Sequence, residues 1–340
     1  MTKIDIISGF LGAGKTTFIK KMLEEVFSGE KVVLVENEYG EVGIDGGFLK
    51  DSGIEIKELN SGCICCSLVG DFNRSLNEVI ETYHPDRILI EPSGVGKLSD
   101  VMSSVKDMEK NHDVKLNALV TVANAMKATK QMKAFGEFFN NQIENATTVV
   151  LSRTQNMKEE KLELCVKEIQ KLNPKAAIIT TPWDSISGEQ ILKVIEQQDS
   201  LMQEMMKEYE EHHHDHEHEH HHDHDHDHGE GCTCGCHDHD HHHHDHDADE
   251  VFISWGKETP HKYTKEKIES ILKTFCDSED YGTILRAKGM VPAEDGTWIY
   301  FDMVPGEYEL RDGEPDYTGR LCVIGTDIDE HKLEELFELN

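Results

Sequence analysis

Short runs dense in Val, Ile and Leu recur through the first two-thirds of the chain, at residues 3–8, 31–36, 87–91, 117–123, 147–152 and 175–181. Runs that are apolar on both sides of the pleat predict strands of a buried, mainly parallel sheet. Between them, Ile19, Met22, Leu23 and Val26 repeat at i, i+3, i+4 and i+7, and Phe72, Leu76, Val79, Ile80 and Tyr83 follow nearly the same spacing. That period predicts amphipathic helices packed on the sheet, and the alternation predicts a doubly wound α/β fold. Beyond residue 250 the pattern changes. Strand signals at 251–255, 283–288, 297–304 and 321–325 and helical signals at 265–275 and 330–339 predict a small α+β domain.

The stretch between these regions has no apolar periodicity. Residues 210–250 carry 18 of the 22 His and 15 Asp and Glu, with no Lys or Arg. Such a tract buries too little to offset the entropy of ordering, and disorder in the absence of metal is the expectation. The chain therefore divides into residues 1–208, a low-complexity linker 209–250, and residues 251–340, as its length of 340 residues also suggests. The net charge of −33 falls to −18 without the 15 acids of the tract, which still argues against nucleic acid or an anionic membrane as partner. No apolar stretch approaches the about 18 to 20 residues of a membrane span, and Met1 to Ser8 runs straight into a strand pattern. The expected address is the cytoplasm. Six of the nine Cys sit in two tight clusters, Cys63, Cys65, Cys66 and Cys232, Cys234, Cys236, a spacing suited to metal more than to disulfides.

The run Gly9-Phe10-Leu11-Gly12-Ala13-Gly14-Lys15-Thr16 follows a strand and precedes a helix, the context in which G-x-x-x-x-G-K-[ST] is a phosphate-binding loop of a P-loop NTPase. In that reading Gly9, Gly12, Ala13, Gly14, Lys15, Thr16 and Thr17 hold the nucleotide: backbone N–H groups wrap the phosphates, Lys15 reaches the β and γ groups, and Thr16 ligates Mg²⁺. The strand Ile88-Leu89-Ile90 ends in Glu91, the candidate catalytic acid that holds Mg²⁺ or its water beside Lys15, with Gly94 offering a backbone contact to the γ phosphate. At a later strand end, Ser152-Arg153-Thr154-Gln155 occupies the base position, with Arg153 and Gln155 as candidate contacts. Gln155 can accept one hydrogen bond, but its NH₂ group suits a donor edge less well than a carboxylate would. Nucleotide preference stays open between GTP and relaxed selectivity.

About 75 residues separate Lys15 from Glu91, and the excess carries Glu36, Glu38 and the Cys63-Ile64-Cys65-Cys66 run. Three thiols within four residues can approach one soft or borderline cation, with a carboxylate, His or water completing the shell. Redox chemistry and buried structural thiols are the other readings. Glu36 and Glu38 are candidate ligands, and solvated loop acids are the bland alternative. In the tract, His212, His213 and His214 lead a series of imidazoles fit to collect zinc, nickel or cobalt, and Cys232, Cys234 and Cys236 add a softer site. The isolated His84, His112, His261 and His331 read as surface or capping residues.

With these residues together, the chain resembles the CobW-type metallochaperone GTPases. The likeness rests on the loop at 9–16, Glu36-Asn37-Glu38-Tyr39-Gly40, Cys63-x-Cys65-Cys66, Glu91-x-x-Gly94, and the C-terminal runs 285–289 and 320–325. It implies Mg²⁺-dependent GTP hydrolysis, zinc or cobalt at the Cys-x-Cys-Cys element, and delivery to a client metalloprotein or a cobalamin-pathway enzyme, with a homodimer allowed. Two positions depart from the family pattern: Ser152 to Gln155 replaces Asn-Lys-x-Asp, and Asn124 stands where Asp is common. A non-catalytic metal store, and an activator that remodels an apo-metalloenzyme without carrying metal, are the competing readings.

Overall fold

The computed structural model describes residues 1–36, 55–58, 69–94, 96–196 and 253–339. The first part is a seven-stranded sheet of β1 (Thr2–Ser8), β2 (Val32–Glu36), β3 (Glu55–Glu58), β4 (Arg87–Glu91), β5 (Val114–Asn124), β6 (Thr148–Ser152) and β7 (Ala177–Ile179). The strands lie in the order β3-β2-β4-β1-β5-β6-β7. Every pairing in it is parallel. Six of the seven strands coincide with the apolar runs. The seventh, β3, has the sequence Glu-Ile-Lys-Glu and sits at the sheet edge, where one neighbour suffices and no apolar run is required to signal it.

Helices cover both faces, as a parallel sheet demands. One core gathers Ile4, Ile6, Val33, Val35, Ile88 and Ile90 under α2 (Val69–Tyr83), α3 (Leu98–Glu109), α4 (Ala128–Glu144) and α5 (Glu159–Leu172). The other gathers Ile7, Leu34, Leu89 and Val122 under α1 (Lys15–Glu25) and α6 (Gly188–Ile195). Alternate residues of one strand feed opposite cores, which is why these runs are apolar without a break. Cys165 belongs to the first core, where burial pushes its thiol up to about 12. It is a packing residue there.

The second part is a five-stranded antiparallel sheet, ordered β11-β10-β9-β12-β8, of β8 (Ile253–Thr259), β9 (Thr283–Pro292), β10 (Trp298–Val304), β11 (Glu307–Gly313) and β12 (Gly319–Thr326). Helices α7 (Lys265–Asp277) and α8 (Glu330–Leu336) close its core around Trp255, Phe275, Phe301 and Phe337. β11 carries few apolar side chains and forms an edge by pairing antiparallel with β10, so periodicity missed it.

The two sheets meet through the segment before β12. Tyr317 is buried in the core under α1 and α6. Its carbonyl accepts from the Thr180 and Thr181 amides at 2.9 and 3.1 Å, and the Pro315 carbonyl accepts from Gln190 Nε2 at 2.8 Å. Among the described residues no helix is long and apolar enough to cross a membrane.

Candidate nucleotide site

The loop at 9–16 leaves β1 and enters α1, and three of its glycines adopt backbone angles that side chains disfavour: Gly9 at φ 150°, Gly12 at 68° and Gly14 at 103°. At Gly9 a Cβ would lie 2.3 Å from the Val122 carbonyl oxygen, so the loop packs its backbone directly on β5. Phe10 pins the loop from below, its ring 4.5 Å from Phe135 and 5.9 Å from Phe139 of α4. Gly14 precedes the first turn of α1 in the left-handed region, with the Trp183 ring 3.4 Å from where its Cβ would stand. Thr16 and Thr17 lie exposed on that first turn.

Lys15 Nζ donates to the Gly9 carbonyl at 3.0 Å and stands 3.7 Å from Glu91 Oε1. The parallel register sets Glu36 beside Glu91, so the ends of β2 and β4 bring two carboxylates to the edge where the loop lies. Gly94 touches the loop as well: a Cβ there would come within 2.9 Å of the Leu11 amide nitrogen. Buried Gln142 of α4 steadies this segment by donating through Nε2 to the Gly94 and Gly96 carbonyls at 3.3 and 2.9 Å. Lys15, Glu91 and Gly94, all singled out by pattern, are brought together here. Gln142 was missed, because no motif marks it and its role arises only when α4 packs on β5.

Ser152 was also missed as a positioning residue. Its buried hydroxyl donates to the Ala13 carbonyl at 2.6 Å, tying the end of β6 to the phosphate loop. Arg153 follows in the left-handed region at φ 63° and is exposed, as is Gln155 in the short 3₁₀ turn Thr154–Asn156. Gln155 lines a cavity of 310 Å³ that Thr181, Pro182, Thr297 and Trp298 share, so the turn carrying Gln155, the candidate base contact, faces the seam with the second sheet. Asn124, the second departure, is buried, and its Oδ1 accepts from the Met126 amide at 3.1 Å, capping its own turn at the end of β5. Glu38, Cys63, Cys65, Cys66, His212, His213, His214, Cys232, Cys234 and Cys236 lie outside the described residues.

His261, read from sequence as a surface or capping residue, is instead partly buried at the seam, with Nδ1 2.7 Å from Glu163. Sequence distance concealed this contact, because the two residues are 98 positions apart.

Residues 3–180, just over half the chain, match the family model described as the CobW/HypB/UreG nucleotide-binding domain. The chain belongs to the CobW/HypB/UreG family. Residues 252–339 match the model for the cobalamin synthesis protein cobW C-terminal domain, so this CobW-family chain carries both matched regions. Among curated relatives, it is 34% identical over 154 residues to the zinc chaperone YeiR of Escherichia coli, covering 45% of this chain and 47% of that one. It is 29% identical over 188 residues to the zinc-regulated GTPase metalloprotein activator 1 of Schizosaccharomyces pombe, covering 53% and 46%. The alignments span about half the length of these curated relatives. Among solved structures, the Zn(II)-bound YjiA GTPase from E. coli superimposes over 99% of this chain and 98% of that one, with 19% identity and a TM-score of 0.44.

Proposed function

We propose that this chain is a Mg²⁺-dependent GTPase whose nucleotide cycle controls the capture and delivery of a transition-metal ion, zinc in the first instance and cobalt as the variant, to a client metalloprotein. The observation that carries the reading is the convergence of Lys15, Glu91, Glu36 and the Gly94 backbone on one strand edge. Family membership and the printed functions of the relatives support it.

The residues do complementary work. Lys15 stores its charge against a carbonyl and a carboxylate, both of which a triphosphate competes with, and the glycines leave amides available to phosphate oxygens. The donor set fits a hard divalent cation, since an exposed Thr16 hydroxyl sits on the first turn and two carboxylates stand side by side in register. Thr16 and Glu91 would hold Mg²⁺, which when bound neutralises charge on the transferred phosphoryl group. Ser152 and Gln142 keep the loop and the Gly94 segment in place. Gln155 offers an acceptor to the base, and GTP is the expected substrate. Cys63, Cys65 and Cys66 lie between β3 and α2, in the segment that leads from the edge carrying Glu36 toward the strand carrying Glu91, so they are the proposed seat of the cargo ion. The His tract raises the local concentration of that ion.

The test is turnover of GTP and ATP with Mg²⁺, alone and with zinc, cobalt or nickel. Wild type should hydrolyse GTP, Lys15→Ala should lose at least about 10²-fold in kcat, and zinc should change the wild-type rate but not that of the Cys63→Ser, Cys65→Ser, Cys66→Ser protein. A transition metal that alters both proteins equally, or neither, sinks the coupling.

A further inference from the structure

The seam between the two sheets holds a donor cluster that hydrolysis does not use. Helix α5 begins at Glu159, and Glu163 follows one turn later, so the i,i+4 spacing turns both carboxylates to one side. His261, just after β8, meets that side: its Nδ1 stands 2.7 Å from Glu163 Oε1 and 3.6 Å from Glu159 Oε1. One ligand atom from each of the three lies within 4.8 Å of the others. For bonds of about 2.0 to 2.1 Å, the edge of a tetrahedral zinc site is about 3.3 Å. The two measured separations bracket that edge.

Charge points the same way. Glu338, whose Oε2 is 3.9 Å from the other ring nitrogen, is already paired with Lys267 at 2.5 Å. Glu159 accepts from the Lys262 backbone amide at 2.7 Å. Among the described residues, neither Glu159 nor Glu163 has a lysine or arginine ion-pair partner. Two carboxylates therefore share a single imidazole, which can supply at most one positive charge. A divalent ion in place of that proton removes the excess, and one imidazole nitrogen with two carboxylate oxygens is a donor set for borderline ions of the zinc class. Glu338 then faces the second nitrogen as the carboxylate that commonly orients a metal-bound imidazole, and Tyr263 packs edge-on at 4.7 Å to fix the ring. A cleft of 540 Å³, lined in part by Glu163, His261 and Glu338, gives an ion a way in.

We propose that Glu159, Glu163 and His261 form an inter-domain site for a divalent transition-metal ion, with water completing the shell, separate from the clustered thiols. Two of the ligands lie on the helix that follows the turn carrying Gln155, and the third follows β8 of the second sheet. Occupancy clamps that sheet to the Gln155 turn. The proposal stands whether or not the chain hydrolyses GTP.

The experiment uses the full chain with Cys63→Ser, Cys65→Ser and Cys66→Ser as parent, and reads the thermal midpoint with and without zinc chloride in the absence of nucleotide. The His tract is identical in parent and variant, so any zinc it takes up contributes equally to both midpoints and cancels in their comparison. Zinc should raise the parent midpoint by at least about 3 °C, and Glu163→Gln with His261→Gln should abolish the rise. Zinc-edge anomalous diffraction from zinc-soaked crystals of the parent supplies a reading that no folding defect affects, with a peak expected among the three side chains. An equal rise in parent and variant, no rise in the parent, or a map without that peak overturns the site.

Discussion

The two ends of the parallel sheet treat charge in opposite ways. At the end where the strands begin, Arg87 is 1% exposed and its guanidinium is surrounded: Nη1 donates to Asp5, Nε to Glu30 at 2.9 Å and Nη2 to Glu196 at 3.1 Å. Asn117 donates to the remaining Asp5 oxygen at 2.7 Å, Lys3 donates to Glu196 at 2.8 Å, and the guanidinium lies over the Phe27 ring at 4.3 Å. Burial acts to lower the Arg87 pKa, but Asp5 and its fellow carboxylates outweigh it and hold the group charged. At the end where the strands finish, Lys15 has one carbonyl and a carboxylate 3.7 Å away, and glycines in left-handed conformations bring backbone close to it. A charge enclosed by fixed partners on every side serves the fold. A charge held loosely at a glycine loop is available to a ligand.

Paired substitutions can break this comparison. Arg87→Ala strips the buried guanidinium from a group of carboxylates of which Lys3 reaches only Glu196, and should cost about 3 to 5 kcal/mol in urea denaturation, with GTP affinity of the folded fraction unchanged. Lys15→Ala should do the reverse, abolishing turnover while shifting stability by no more than about 0.5 to 1 kcal/mol. If both variants lose stability equally, the two ends do not differ as described. Ser152→Ala tests a smaller effect between these extremes. It leaves the buried Ala13 carbonyl without its 2.6 Å donor and should cost about 1 kcal/mol, with nucleotide affinity weakened by less than about tenfold.

The smallest effect is a pH dependence at the first end. Burial acts to raise the Glu196 carboxyl, yet the hydrogen bonds from Lys3, Arg87 and Asn117 outweigh it and hold the group below its ordinary 4.5. Its contribution is therefore full above that value and lost as pH falls through the lowered one. Wild type should exceed Glu196→Gln in stability by under about 1 kcal/mol at neutral pH, and the two curves should converge as pH falls through the lowered value and the carboxyl protonates. Urea midpoints across pH 3 to 7 measure it (roughly the carboxylate range), and a gap that widens on acidification contradicts the assignment.

Much of this molecule was legible because its strongest signals are local. Six apolar runs declared the parallel strands, since a strand buried on both faces must be apolar at every position, and the glycine pattern with Lys15 declared a phosphate loop because strand, turn and helix are contiguous in sequence. What the order of residues could not declare was set by contacts between distant segments. The polar edge strands β3 and β11 exist because a neighbour offers hydrogen bonds, not because their side chains demand burial. Ser152 and Gln142 acquire their roles only when β6 and α4 close on the phosphate edge. His261 became a partner of Glu159 and Glu163 only when the second sheet docked on the first, through hydrogen bonds and burial around Tyr317 that no periodicity encodes.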